Sequence, residues 1–231
     1  MLVASILIQI ATNMFNEYYD FKHGLDTPET VGIAGAIVRG QVAPSNVFKG
    51  AVACYAVALV LGLYLVARTS VEVLIAGLAS ALGGFLYTGG PLPIAYTPFG
   101  ELEVFIFMGF VIVGLAYFIQ AGALSASAIW ASLPVGCLVA AILLANNLRD
   151  RAADARVGRR TIPVVLGRRA GLVIYALLLG GAFVCVIAAI GLRALPPTAL
   201  LPLVLAPLPI KLFRLYPVSY THLTLPTILR V

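Results

Sequence analysis

The sequence predicts an all-α protein that crosses a membrane several times as a bundle of helices. Hydrophobic residues make up 61% of the 231 positions and charged residues only 10%, a balance typical of proteins that lie in lipid. The apolar runs reach about 20 residues, the length that one helix needs to cross a bilayer. These runs are rich in Leu, Ala and Val and lack the alternation of barrel strands. The composition therefore predicts transmembrane helices.

Seven apolar segments are long enough to be considered as helices. They cover 2–16, 47–67, 71–88, 102–124, 128–148, 170–192 and 198–215. The first is short for a full span, and prolines interrupt the last, so both ends of the chain are expected to be irregular. We expect one membrane domain over residues 1–215. Residues 216–231 have no helical period and form an atypical tail, which we interpret as a possible artefact with no functional role.

The basic residues predict how the chain is oriented in the membrane. If the loops 17–46, 89–101 and 149–169 face the cytoplasm, twelve basic residues lie on that side and two, Arg68 and Arg193, on the other. This asymmetry predicts a multi-pass protein of the plasma (inner) membrane with its active-site loops in the cytoplasm. It also explains the net charge of +6 without nucleic acid, which we do not expect as a partner.

Two polar stretches with the same spacing end two of the apolar segments. They begin at Asn13 and Asn147, 134 positions apart. In each, an amide or acid follows three residues later, an Asp seven, a base nine and a Gly eleven. Positions i, i+3 and i+7 lie within about 60° of one another on a helix, so each stretch presents its polar groups on one face. The four aspartates of the chain lie in or just beyond these stretches: Asp20, Asp26, Asp150 and Asp154.

Acids at the ends of membrane helices are unfavourable unless they face water, a partner or a ligand. Two facing acidic stretches would repel each other, and a divalent cation relieves that repulsion. Carboxylate and amide oxygens suit Mg²⁺, which typically shares its coordination sphere with substrate phosphates. We therefore expect a magnesium site that binds a diphosphate. The predicted metal ligands are Asn16, Glu17, Asp20, Asp150 and Asp154, and of these Asp20, Asp150 and Asp154 are predicted to be catalytic.

Bases and amides in the same stretches are candidates for binding phosphate oxygens, and arginine can do so with two hydrogen bonds. The predicted diphosphate-binding residues are Asn13, Lys22, Asn147, Arg149, Arg159 and Arg160. Membrane topology alone also explains loop arginines, and we prefer that explanation for Arg168 and Arg169. Asp26 fits a helix cap better than Asp20 or Asp154 does.

An apolar pocket is expected beside these groups. Most tyrosines near this side of the membrane are explained as interface anchors. Tyr87 and Tyr96 are the two that we expect to line the pocket, where an aromatic face stabilises a developing cation. Asp26 and Arg39 complete the predicted pocket.

The residues resemble those of the UbiA-type intramembrane prenyltransferases. Asn13-x-x-Asn16-Glu17-x-x-Asp20 is similar to the first acidic motif of that family, although position 17 is usually Asp there, and Asn146-Asn147-Leu-Arg149-Asp150-x-x-x-Asp154 is similar to the second. The resemblance implies a bundle of nine spans, of which this chain matches the second to the eighth. It also implies Mg²⁺-dependent transfer of a polyprenyl group from polyprenyl diphosphate to an aromatic acceptor.

Within the family the chain looks most like the 1,4-dihydroxy-2-naphthoate prenyltransferases of menaquinone biosynthesis. The segments that carry this likeness are Tyr87-Thr-Gly-Gly-Pro91, Gly100-Glu101 and Gly158-Arg-Arg-Thr161. That branch implies loss of the acceptor carboxylate as carbon dioxide, and Arg39 or Lys22 would suit an anionic acceptor. Alternatives are a family member that uses 4-hydroxybenzoate, haem or chlorophyllide, and a secondary transporter, whose polar groups lie nearer the bilayer midplane.

Overall fold

The computed structural model describes residues 1–25 and 35–205, which form helices joined by short connections and contain no strand. Five long helices are α1 (Leu2–Lys22), α2 (Pro44–Arg68), α3 (Val71–Thr88), α6 (Ala126–Arg156) and α7 (Ile162–Gly191). A further continuous helical span combines α4 (Gly100–Val104), a π-helical segment (Phe105–Val111) and α5 (Ile112–Ala121). Short 3-10 helices cover Ile94–Tyr96 and Pro197–Leu205. Asp26 and the tail 216–231 lie outside the described residues.

Five helical segments are long and apolar enough to cross a membrane. They are Pro44–Arg68, Val71–Thr88, Gly100–Ala121, Ala126–Arg156 and Ile162–Gly191. The prediction of an all-α membrane protein is confirmed. The first predicted segment corresponds to α1, whose second half carries polar residues. The seventh begins with the 3-10 helix Pro197–Leu205 and then continues beyond the described part of the chain.

One difference from the predicted boundaries concerns the second polar stretch. The hydropathy pattern predicted that its helix ends at 148, but α6 continues to Arg156. Arginine and alanine favour helices, so this segment remains helical after its hydrophobicity has ended. The first stretch is likewise helical as far as Lys22. Both polar stretches therefore form the last turns of long helices instead of loops.

Each polar stretch belongs to a helix with its own packing partners. In one half of the molecule, Ala11 and Phe15 of α1 pack with Ala51 of α2 in a small core. In the other half, Leu144 and Leu148 of α6 form a core with the neighbouring helix α7. The fold thus consists of two helical units that present their polar stretches at the same end.

The π-helical segment crosses α6 at close range. A Cβ atom on Gly109 would overlap the Cα atom of Gly136. A Cβ atom on Gly136 would come within 2.8 Å of the Phe105 ring. The crossing therefore depends on glycine at both positions, because any side chain would push the helices apart.

We predict that Gly109→Ala lowers the free energy of unfolding by about 1–3 kcal/mol, the usual effect of overpacking. Gly62→Ala is the matched control, because Gly62 is also helical and has no neighbouring atom within 4 Å of a Cβ atom. That change should leave stability equal or raise it by about 0.5–1 kcal/mol through helix propensity. Thermal unfolding of the purified protein in detergent measures both variants. Equal stability of the two would contradict the close crossing.

Candidate active site

One arginine joins the two polar stretches. Arg159 Nη2 donates to Asp20 Oδ1 of the first stretch at 2.5 Å. Arg159 Nη1 lies 3.5 Å from Asp154 Oδ1 of the second stretch. Asp20 is near the end of α1 and Asp154 is in the last turn of α6. Residues that are far apart in sequence therefore meet at one guanidinium.

The side chains of Arg159, Asp20 and Asp154 form an ion-pair centre that is largely removed from solvent. Asp154 is 2% exposed, and the side chains of Arg159 and Asp20 are 15% and 22% exposed. Burial of Arg159 disfavours its positive charge, but the carboxylates of Asp20 and Asp154 favour it more and raise the pKa of the guanidinium above its usual value. The ring of Tyr96 lies 5.2 Å from the guanidinium carbon and adds a cation–π contact. The arginine is therefore held as a buried cation.

Several buried polar atoms of the centre have no hydrogen-bond partner among the described residues. They are Asp154 Oδ2, Arg159 Nε and Thr161 Oγ1, all at the connection between α6 and α7, and the Thr161 hydroxyl lies close enough to the Asp154 carboxylate to favour its charged form. An unsatisfied buried polar group costs about 1–3 kcal/mol, so native proteins rarely leave several together unless a ligand or water pairs with them. A free carboxylate oxygen suits a cation, and a free guanidinium N–H suits an anionic oxygen. This part of the site fits a metal ion with a phosphate.

The predicted metal ligands other than Asp20 and Asp154 are not gathered around the Arg159 side chain. Within the described ranges, no three acidic, histidine or cysteine side chains come together as a metal-binding group. Asp150, one turn before Asp154 on α6, pairs with its neighbour Arg149 through two hydrogen bonds of 2.8 and 2.6 Å. The protein alone thus supplies a small number of carboxylates, which agrees with the way Mg²⁺ is bound by one or two carboxylates, waters and substrate phosphates.

Two predicted metal ligands of the first stretch also have structural partners. Asn16 Oδ1 accepts a hydrogen bond from the Thr88 hydroxyl at 2.7 Å, which ties α1 to the end of α3. Glu17 Oε1 accepts from the backbone N–H groups of Gly35 and Ile37 at 3.1 and 3.0 Å. These hydrogen bonds connect α1 to α3 and to the segment around Gly35.

The predicted diphosphate-binding residues occupy different places. Arg159 lies in the centre, and Asn147 donates from Nδ2 to Glu101 Oε1 at 2.8 Å inside the bundle. Asn13 and Lys22 are exposed, and Arg160 is exposed with its backbone N–H bound to the Tyr96 carbonyl at 3.1 Å. Arg149 lines an outer groove with Arg151 and Arg168. The structure therefore brings one of the predicted arginines, Arg159, between the two acids.

The predicted pocket tyrosines lie on the inner side of this centre. Tyr96 contacts Arg159 directly, as described above. Tyr87 packs against Gly100 and interacts electrostatically with Arg159, Asp20, Glu101 and Glu103. Arg39 is exposed and lies beside Gly35.

Sequence reasoning assigned no role to two carboxylates of the inner wall. Glu101 is 5% exposed and its Oε2 atom has no partner in the described part of the chain. Glu103 Oε2 is also buried without a hydrogen-bond partner in the described part of the chain. The predicted loop 89–101 ends at Glu101, but both Glu101 and Glu103 lie inside the helical span that begins at Gly100. The available signal was their position after Gly100 at the start of an apolar run, where a buried acid is costly.

The fold and the site together define a polytopic helical membrane protein with an acid and arginine centre built from two related helix ends. Residues 1–220 match the UbiA prenyltransferase family. The chain belongs to this family of prenyltransferases.

Known relatives agree with this assignment. The chain is 43% identical over 211 residues to a 1,4-dihydroxy-2-naphthoate octaprenyltransferase of Bacillus subtilis, covering 91% of this chain and 68% of the relative. It is 31% identical over 193 residues to the protein of the same name from Haemophilus influenzae, covering 81% and 63%. The chain thus spans about two thirds of the length of these relatives.

A solved structure has the same fold. It is a UbiA homolog from Archaeoglobus fulgidus bound to DMAPP and Mg²⁺, with a TM-score of 0.65 and 18% sequence identity. The similarity covers 94% of this chain and 75% of that one.

We predict that Arg159→Met destabilises the protein by about 3 kcal/mol or more, because it leaves Asp154 as a buried charge without compensation. Arg160→Met removes the adjacent exposed arginine and should change stability by less than about 0.5 kcal/mol. Thermal unfolding without ligands compares the two. The double variant Arg159→Met with Asp154→Asn should recover part of the loss. Equal effects of the two single variants would show that the buried ion pair is not a stabilising contact.

Proposed function

We propose that this protein transfers a polyprenyl group from polyprenyl diphosphate to 1,4-dihydroxy-2-naphthoate, with loss of carbon dioxide, as a step of menaquinone biosynthesis. The observation that carries the proposal is the buried Arg159 between Asp20 and Asp154, with unsatisfied polar atoms on the same residues. The name and 43% identity of the Bacillus subtilis relative support the choice of acceptor.

The proposed magnesium site is built on Asp20 and Asp154. Asn16, Glu17 and Asp150 lie in the same two helix ends and complete the proposed ligand set through water or by exchanging their present partners. When bound, Mg²⁺ would supply positive charge to neutralise the departing diphosphate.

Arg159 is the proposed main contact of the protein with the diphosphate. Its Nε atom is buried and unpaired within the described residues, so it can donate to a phosphate oxygen without breaking another bond. The outer groups Asn13, Lys22, Arg149 and Arg160, together with Asn147, form the wider set proposed for this ligand. Their charges favour entry of an anion from the polar side of the membrane.

The inner wall has properties that suit the reacting carbon atoms. As the bond to diphosphate breaks, positive charge develops on the allylic carbon. The rings of Tyr87 and Tyr96 are placed near the centre, where aromatic faces stabilise such a charge. Burial also keeps water from competing with the acceptor ring. We place the acceptor on this side, with Asp26 and Arg39 as further proposed contacts at the mouth.

The membrane location follows from the five apolar spans. We propose that the end carrying Arg159 faces the cytoplasm, because the basic residues concentrate in the loops on that side.

We predict that Asp20→Asn and Asp154→Asn each lower prenyl transfer by about 100-fold or more, since each removes a carboxylate of the proposed metal site. Glu72→Gln is the control, because Glu72 lies exposed in the first turn of α3 and should be neutral. Membranes containing each variant are incubated with Mg²⁺, labelled polyprenyl diphosphate and a panel of aromatic acceptors. Full activity of either aspartate variant would contradict the proposed metal site. If product forms only with another aromatic acceptor, the proposed acceptor is wrong while the prenyltransferase activity stands.

We also predict opposite labelling of two single cysteines in a background in which Cys54, Cys137 and Cys185 are replaced by Ala. Lys22→Cys lies at the polar end, and Thr69→Cys lies in the connection between α2 and α3. A membrane-impermeant maleimide added to intact cells should label position 69 and not position 22, while inverted membranes should reverse the result. Labelling of position 22 from outside would reverse the proposed orientation.

A further inference from the structure

Glu101 is a buried carboxylate with one oxygen held and the other available. Its Oε1 atom accepts the hydrogen bond from Asn147 Nδ2 at 2.8 Å, and the residue is only 5% exposed. Oε2 is buried and lacks a hydrogen-bond partner among the described residues. A carboxylate oxygen left in this state costs free energy unless a donor from a ligand reaches it. The missing partner is therefore expected to be a hydrogen-bond donor.

The position of Glu101 relates it to the centre at Arg159. Its partner Asn147 precedes Asp154 by two helical turns, so both lie on the same face of α6, roughly 10 Å apart along the axis. The ring of Tyr87 lies beside Gly100, the residue that precedes Glu101. Glu101, bound to Asn147, therefore lies about two turns of α6 away from Asp154.

An apolar cavity adjoins this carboxylate. It has a volume of about 280 Å³ and is lined by Glu101, Leu102, Phe105, Ala140, Ile174 and Leu178. Ala140 lies two turns before Asn147, again on the same face of α6. Glu101 is the one polar side chain in this lining. The surface that lines the cavity is apolar, which suits the face of an aromatic ring.

We propose that Glu101 binds a ring hydroxyl of the aromatic acceptor and takes its proton during prenyl transfer. This inference rests on the proposed function. The O–H bond of the acceptor breaks, and its electron pair makes the ring carbon more nucleophilic. That carbon bonds to the allylic carbon, and the electrons of the broken C–O bond leave with the diphosphate. The proton remains on Glu101 Oε2.

The later loss of carbon dioxide returns this proton. Attack by the carbon that carries the carboxylate, next to the ionised hydroxyl, produces a β-keto carboxylate. When the bond to carbon dioxide breaks, its electrons restore the aromatic ring and leave a negative charge on the ring oxygen. That oxygen takes the proton back from Glu101. The carboxylate is regenerated without a path to solvent, which is consistent with its burial. Asn147 acts as a positioning residue, because its hydrogen bond to Oε1 directs Oε2 towards the ring.

The test variant is Glu101→Gln, whose amide oxygen can still accept from Asn147 but whose side chain cannot take a proton. We expect transfer to fall by about 100-fold or more, the usual range for loss of a general base. Thermal stabilisation by Mg²⁺ with polyprenyl diphosphate should remain, which shows that the variant is folded. Glu72→Gln, the exposed control, should match the wild type in both measurements. Full transfer activity in Glu101→Gln would overturn the inference.

A series of acceptors separates proton transfer from a structural effect. Electron-withdrawing substituents lower the pKa of the acceptor hydroxyl, so the deficit of Glu101→Gln should shrink as the acceptor becomes more acidic or as the pH rises. Glu101→Asp, which keeps a carboxylate, should transfer faster than Glu101→Gln. An equal deficit with every acceptor at every pH would overturn the role as a proton acceptor. Failure of the wild-type protein to prenylate any acceptor would instead overturn the proposed function itself.

Discussion

The structure depends on the compensation of one buried and one partly buried carboxylate by one guanidinium. Asp154 lies in the last turn of α6, where the helix dipole is unfavourable to an acid, and Asp20 approaches from α1. Arg159 binds both and makes their common burial possible. The two helical units otherwise have separate cores, so this ion pair is the polar link that holds their ends together.

The same arrangement explains how a stable protein can keep a reactive centre. The carboxylates and the arginine compensate one another here, while Asp154 Oδ2 and Arg159 Nε remain available within the described residues. In the proposed function, Arg159 Nε donates to a phosphate oxygen, and the two acids would hold magnesium. The site can therefore accept charged ligands without a large net change in buried charge.

The interior changes in character with depth. The mouth holds Arg159 and its acids, Tyr87 follows, and Glu101 lies next to an apolar cavity. This order corresponds to a reaction between a charged diphosphate and an aromatic ring inside a membrane. A polar headgroup binds near water, and the ring with its apolar partner remains in the low-dielectric interior, where each hydrogen bond is stronger.

The sequence by itself determined the membrane class and the pairing of two acidic stretches, because hydropathy and helical spacing are local properties. It named Arg159 as one of six candidates for binding diphosphate, but it could not single out Arg159 as the residue between the two acids. The repeated pattern places its bases at Lys22 and Arg156, which are exposed. Gly158, with φ of 78°, turns the chain after α6 and brings Arg159 back between the acids. The burial of Glu101 and its hydrogen bond to Asn147 likewise depend on the packing of α4 beside α6. Tertiary structure decided both because each depends on partners that are distant in the chain.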